Sequence, residues 1–248
     1  MNRMELIHSV IVAAVLWLGL MGMPGALLAQ TCPSTSPLVS YWPANDDAND
    51  VVGGNDGTVQ NGAGFADGQV SRAFDLDGVD DYISVSHDPS LNLGTGEFTI
   101  AVWINPSTIT SYRLILHKRD GSVDKELELR IGQSAGDGRL FFLTGDAASY
   151  SQVVSSSSIE PDRYTHVAIV RQANKVMLYL DGELDNFVLG GPHNISSSSE
   201  LYIGRAHQGG GYFAGMIDEV QIMRHAITSS EVAAIYRADC SRSSCGCK

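Results

Sequence analysis

The sequence predicts an all-β fold of two antiparallel sheets packed as a sandwich, with one short helix near the C-terminus. Three observations predict it. Apolar residues recur with period two: Phe98, Ile100, Val102 and Ile104 alternate with Thr99, Ala101, Trp103 and Asn105. Leu127, Leu129 and Ile131 alternate with Glu126, Glu128 and Arg130 in the same way, and Val176, Leu178 and Leu180 with Met177, Tyr179 and Asp181. Clusters of Gly, Asn, Asp and Ser bound these runs, as turns bound half-buried strands. Finally, roughly 220 residues remain after a targeting segment, an ordinary length for one large β domain.

Residues 1–29 read as that targeting segment, a signal peptide. Arg3 precedes an apolar run from Ile7 to Leu20, and Pro24-Gly25 breaks the run before the small residue Ala29. The mature chain is therefore expected to be secreted or extracytoplasmic, without a transmembrane segment. Residues 30–37 form a short lead, 38–237 the domain, and 238–248 a cysteine-rich tail. The net charge of −12 excludes a nucleic-acid partner, because phosphates demand a basic face.

Within the domain, Phe74–Val85 reads F-D-L-D-G-V-D-D-Y-I-S-V. Two strand-like runs, Ala73–Leu76 and Tyr82–Val85, flank a turn in which Gly78 follows Asp77, the pattern of a hairpin tip. Asp75, Asp77, Asp80 and Asp81 repel one another there unless solvent or a cation screens them. Asp181-Gly182 predicts a second hairpin, between Val176–Leu180 and Glu183–Leu189. Thr228-Ser-Ser-Glu231 is a capping box, and Val232, Ile235 and Tyr236 give its helix an apolar stripe ending near Arg237. Such a helix is expected to close one end of the sandwich.

Asp218 stands in Gly215-Met216-Ile217-Asp218-Glu219-Val220-Gln221-Ile222. Strict alternation puts it on the face of Met216, Val220 and Ile222, so an inward Val220 implies a buried carboxylate. Such a group must accept backbone N–H groups, pair with a cation or bind a metal. Glycan recognition needs exposed aromatics beside polar hydrogen-bonding groups. Gly209-Gly-Gly-Tyr212-Phe213, with His207 and Gln208 before it, offers that mixture, and Tyr150 and Tyr112 are further loop candidates. Phe213 is expected to pack on its own strands. The four cysteines, Cys32, Cys240, Cys245 and Cys247, suit an oxidising compartment and allow three full pairings. A bridge within Cys245-Gly-Cys247 would strain the bond.

Five stretches in order resemble one family. They are Leu38-Val39-Ser40-Tyr41-Trp42-Pro43; Ala48-Asn49-Asp50 through Gly53-Gly54-Asn55 to Gly57-Thr58; F-D-L-D-G-V-D-D-Y; Phe98–Ile104; and G-M-I-D-E-V. Together they are similar to the laminin-G-like jelly-roll domain, a branch of the concanavalin-A-like lectin/glucanase superfamily, from about Leu38 to Arg237. The resemblance implies a jelly-roll sandwich with its chain ends together, and hence a Cys32–Cys240 disulfide. It also implies a structural Ca²⁺ at a sandwich edge. Asp50, the carbonyl of Gly53, Asn55 and Asp218 would be its ligands, a hard-oxygen set suited to calcium.

Glucanase relatives carry Glu-x-Asp-x-x-Glu on one strand, and Glu126-Leu127-Glu128 lacks the rest of that motif. No other catalytic constellation is present, and the histidines are scattered without metal spacing. The double-calcium site of pentraxins is mostly missing. Asp124 alone matches its first loop, and Arg205-Ala206-His207-Gln208-Gly209 replaces its acidic second loop. The expectation is therefore a non-catalytic module for an extracellular or cell-surface glycan. A protein-adhesion module binding a surface protein is the alternative, and a glycan-cleaving enzyme ranks third.

Overall fold

The computed structural model describes residues 38–110, 112–120, 125–132, 137–146, 149–191 and 193–241. The targeting segment, Cys32, Asp124, Cys245 and Cys247 lie outside the described residues. No helix among those described is long and apolar enough to cross a membrane.

The first sheet contains β1 (Leu38–Trp42), β3 (Gly64–Asp67), β4 (Arg72–Asp77) and β6 (Phe98–Pro106). It also contains β11 (Thr165–Gln172), β12 (Lys175–Leu180), β13 (Glu183–Leu189) and β15 (Ala214–Met223). The second sheet contains β2 (Gly57–Gln60), β5 (Tyr82–Val85), β7 (Arg113–Asp120) and β8 (Lys125–Ile131). β9 (Arg139–Gly145), β10 (Tyr150–Ser158) and β14 (Leu201–Ile203) complete it. The strand orders are β13-β12-β11-β6-β15-β4-β3, with β1 also on β15, and β10-β9-β8-β7-β14-β5-β2. Every pairing is antiparallel, as the jelly-roll expectation requires.

The core lies between the sheets. Phe98, Ile100, Val102 and Ile104 of β6 meet Leu127, Leu129 and Ile131 of β8 in one buried cluster, so the period-two readings hold. Trp42 is fully buried and donates its indole N–H to the carbonyl of Asn55 at 2.8 Å. The Asp181-Gly182 hairpin forms as expected between β12 and β13, with both residues at positive φ.

Three local readings are corrected. Phe74–Val85 is not a hairpin: β4 pairs with β3 and β15, whereas β5 pairs with β2 and β14 in the other sheet. The Asp77–Asp81 turn therefore carries the chain from one sheet to the other. It is held by its own acids, since Asp77 accepts the backbone N–H groups of Val79, Asp80 and Asp81, and Asp81 accepts that of Asp77.

The second correction concerns the helix. α1 spans Ser229–Ser241, a turn beyond Arg237, and so takes in the first tail residues. Its capping box forms: Thr228 Oγ1 accepts the N–H of Glu231 at 3.3 Å, and Glu231 Oε2 accepts that of Thr228 at 2.7 Å. Rather than closing one end, α1 lies on the outer face of the first sheet. Val232 and Ile235 pack there with Ala101, Ala168, Val170 and Met177. Trp103 Nε1 of β6 donates to Asp239 in the last turn at 3.0 Å, a tertiary bond that the local pattern does not contain. Cys240 is exposed on that turn.

The third concerns Asp218. A bulge at Glu219, with φ 53°, shifts the register of β15 between Asp218 and Gln221. Ile217 therefore faces Ile104 in the core, and Asp218 pairs with Trp103 on the outer face. Asp218 is fully buried all the same, beneath the β3–β4 turn, where a Cβ on Gly68 would stand 2.6 Å from its Oδ2.

Candidate functional site

The outer face of the second sheet carries a row of polar and aromatic side chains. Register sets Glu128 of β8 beside His117 of β7, then Tyr202 of β14, then Ser84 of β5. Directly opposed residues share a face. The adjoining set of Leu129, Leu116, Ile203 and Ile83 faces the core, so this row faces out.

The Glu128 carboxylate accepts a hydrogen bond from Arg130 Nε and lies 3.7 Å from His117 Nε2. His117 Nδ1 accepts the backbone N–H of His207 at 2.8 Å, so the ring proton sits on Nε2, facing Glu128. The Arg130 guanidinium lies 4.6 Å from the Phe141 ring and 5.2 Å from that of Tyr112, and it also donates to the carbonyl of Gly132. Glu128 is thus a buried, paired carboxylate, an anchor for the row and not a general acid open to substrate.

One loop crosses above this row. After β14, Gly204 takes φ +89°, where a Cβ would stand 2.4 Å from Leu76 Cδ1, so only glycine lets the chain leave the sheet there. Arg205 follows, its guanidinium 4.0 Å from the ring of Tyr82 and 4.3 Å from that of Tyr202. The imidazole of His207 lies 5.9 Å from Tyr202. The loop returns to β7, where the Gly211 carbonyl accepts the N–H of Leu114 at 2.8 Å and that of Tyr212 accepts Arg113 Nη1 at 2.7 Å. A Cβ on Gly211 would lie 3.1 Å from Tyr112 Cδ1, so Tyr112 stands directly against the loop. Its ring is 45% exposed, Gln208 is exposed, and Tyr212 is half-buried.

His207, Gln208, Tyr212 and Tyr112 are therefore brought together. Tyr150 is exposed but stands on β10, the far edge strand, with β9, β8 and β7 between it and β14. Phe213 is buried in the core, as expected. Sequence reasoning missed Tyr82, Tyr202, His117 and Arg205. The outward positions of Tyr82 and Tyr202 are visible as alternation with Ile83 and Ile203, but the β5–β14 pairing that joins them is not local.

A family model of the concanavalin A-like lectin/glucanases superfamily, of laminin G type, matches residues 77–233, more than half of the chain. The chain belongs to this superfamily. No curated protein sequence matches it. Among solved structures, it is similar to domain 4 of AbnA, a GH43 extracellular arabinanase from Geobacillus stearothermophilus, solved in complex with arabinotriose. The TM-score is 0.67 at 19% identity, over 80% of this chain and 98% of that domain. The binding domain of Paraclostridial Mosquitocidal Protein 1 gives 0.66 at 19% identity, covering 81% of this chain and 52% of that one. The botulinum neurotoxin serotype D binding domain gives 0.62 at 15%, covering 81% and 51%. The chain thus spans about half the length of the two toxin structures. At these identities the likeness establishes the shared fold.

The calcium ligands implied by the laminin-G-like resemblance fall in two places. Asp50, Gly53 and Asn55 share one loop. Asp50 Oδ1 accepts the N–H groups of Tyr41, Val52 and Gly53, and Oδ2 that of Asn55, all at 2.8–3.0 Å. Burial raises the Asp50 pKa, and the four amides outweigh it, holding the carboxyl below its usual range. Asn55 Nδ2 donates to Ser40 and Ser90. Asp218 is elsewhere: its Oδ2 accepts the N–H of Val70 at 3.0 Å, and its Oδ1 has no hydrogen-bond partner among the described residues. The four residues do not form one coordination shell. The carboxylate oxygens of Asp50 serve four backbone amides, the arrangement of a loop clamp.

Proposed function

We propose that this superfamily member is a secreted, non-catalytic carbohydrate-binding module. Its glycan would lie at the outer face of the second sheet, against the exposed side of the Arg205–Tyr212 loop. One observation carries the reading: the loop sets exposed Tyr112 and Gln208 beside half-buried Tyr212, above the Glu128–His117–Tyr202 row. Tyrosine rings supply apolar faces for sugar C–H groups, while Gln208, His207 and Tyr212 supply hydrogen bonds. The arabinotriose complex of the arabinanase domain makes arabino-oligosaccharides the first probes to try.

A glycan array followed by calorimetry tests the proposal. Tyr112→Ala with Gln208→Ala is expected to weaken binding at least tenfold without moving the melting temperature. Glycan binding that survives this pair unchanged would place the site elsewhere. Release of reducing sugar ends by the wild type would overturn the non-catalytic reading. Structural calcium enters the proposal only at the Asp50–Asn55 loop, without Asp218, and equal melting curves in chelator and in millimolar calcium would remove it. The protein-adhesion reading rests on Leu184, Phe187 and Leu189, exposed apolar side chains of edge strand β13.

A further inference from the structure

Arg205 differs from the other arginines of this face. Arg113 donates to the carbonyls of Tyr212 and Gly78, and Arg130 to Glu128 and Gly132. Arg205 reaches one carbonyl, that of His207, by a long bond from Nη2 at 3.5 Å, it also interacts with the Tyr202 side chain, and its buried Nε has no acceptor among the described residues. No carboxylate of a described residue forms an ion pair with it. The nearby acids are committed, Glu128 to Arg130 and His117, and Glu200 to the hydroxyl of Tyr202.

The guanidinium is nevertheless held in place. Its carbon lies 4.0 Å from the ring of Tyr82 and 4.3 Å from that of Tyr202, rings that themselves stand edge to face at 6.0 Å, and Gly204 turns the chain toward them at φ +89°. A cation fixed on two aromatic rings keeps its charge, and its N–H groups project from the edge of the plane. A part-buried guanidinium with an unanswered Nε carries a desolvation cost that an arriving anion would relieve. The planar fork of two parallel N–H groups matches a carboxylate, which can accept from both at once.

We propose that Arg205 reads the carboxylate of an acidic sugar, so that the glycan bound on this face contains uronic acid. The inference rests on the glycan-binding reading above and narrows its ligand class. Gln208 and Tyr112 then hold the neutral part of the sugar, while Arg205 selects the charge. The chain's net charge of −12 repels densely charged polyanions at long range. That favours polysaccharides with single, spaced carboxylates over heavily sulfated ones.

The test is calorimetry of the full chain with a galacturonic acid trisaccharide, its methyl ester and a neutral trisaccharide. The free acid is expected to bind at least tenfold more tightly than the ester, a comparison that needs no variant. Arg205→Gln is expected to lower acid binding to the level of the ester and to leave ester binding unchanged. Arg205→Lys, which keeps the charge but loses the fork, should recover only part of the difference. Equal affinity for acid and ester, or acid binding untouched by Arg205→Gln, overturns the inference while leaving glycan binding intact. Binding of no sugar by the wild type overturns both.

Discussion

Asp218→Asn is the perturbation that most directly tests the burial of a carboxylate beneath the β3–β4 turn. Asp218 is fully buried, and burial pushes its carboxyl from 3.8 up to about 8. The Val70 N–H pulls the other way, while Glu219 on the same strand and Asp239 from α1 add repulsion. Tyr164 faces the same group, and burial together with Asp218 raises its phenol. A carboxyl whose folded pKa lies above its unfolded value binds its proton more tightly when folded. Stability is then fully present below about 3.8 and is lost as pH rises toward 8. At about 1.4 kcal/mol per pH unit, the loss between 3.8 and pH 7 reaches a ceiling of about 4 kcal/mol.

Asparagine keeps an oxygen for the Val70 N–H and places N–H groups where the proton sat, without titrating. Its stability should match that of the wild type near pH 4 and exceed it by about 2–4 kcal/mol at pH 7, after some relaxation around the charge. Urea unfolding at several pH values between 4 and 8 measures the difference. Parallel pH profiles for the two proteins would refute the reasoning, because Asp218 would then titrate as a solvated acid and the β3–β4 turn would not cover it.

Three further outcomes are expected. His166 is buried beside Trp103 and Tyr236, neither ring nitrogen has a hydrogen-bond partner among the described residues, and burial lowers its pKa from 6.5 to about 4. Its stability contribution is present above 6.5 and lost as pH falls through 4, so His166→Phe should flatten the acid side of the profile by up to about 3 kcal/mol. Asp50→Ala strands four amides and should cost about 3 kcal/mol, with faster hydrogen exchange at Val52, Gly53 and Asn55. Thr228→Ala removes the α1 cap and should cost about 1 kcal/mol in thermal unfolding.

Much of this fold is legible in the sequence because a half-buried strand writes its geometry into every second residue. β6, β8 and β12 follow that rule, and the capping box marks the start of α1 by local chemistry. What fails is whatever depends on distant partners. A single extra residue at Glu219 turns Asp218 to the opposite face, and positive φ at a glutamate leaves no compositional sign. The Asp77–Asp81 turn has hairpin residues, yet which sheet β5 joins is decided by β2 and β14. The candidate site divides the same way. His207, Gln208 and Tyr212 were visible as a Gly-rich loop, whereas Tyr82 and Tyr202 meet under Arg205 only through strand pairing.

Among the described residues Arg130, Arg171 and Arg205 lie on aromatic rings, and the last two differ in what their N–H groups find. Arg171 is buried 4.5 Å from the Phe98 ring, and its N–H groups reach the carbonyls of Gly94, Gly96 and His193. Burial lowers its pKa only to about 10, so it stays charged and ties two loops to β11. Nothing is left over for a ligand, and such a residue serves the fold. Arg205 sits on two rings with its Nε unanswered, at the mouth of a loop that folds only because Gly204 and Gly211 permit it. On the first sheet α1 covers Ala101, Ala168 and Trp103, whereas Arg205 stands on the outer face of the second sheet, where the proposed ligand would meet it. The proposed uronic-acid contact is therefore placed at the guanidinium that the fold leaves incomplete, and not at the one whose N–H groups the fold already answers.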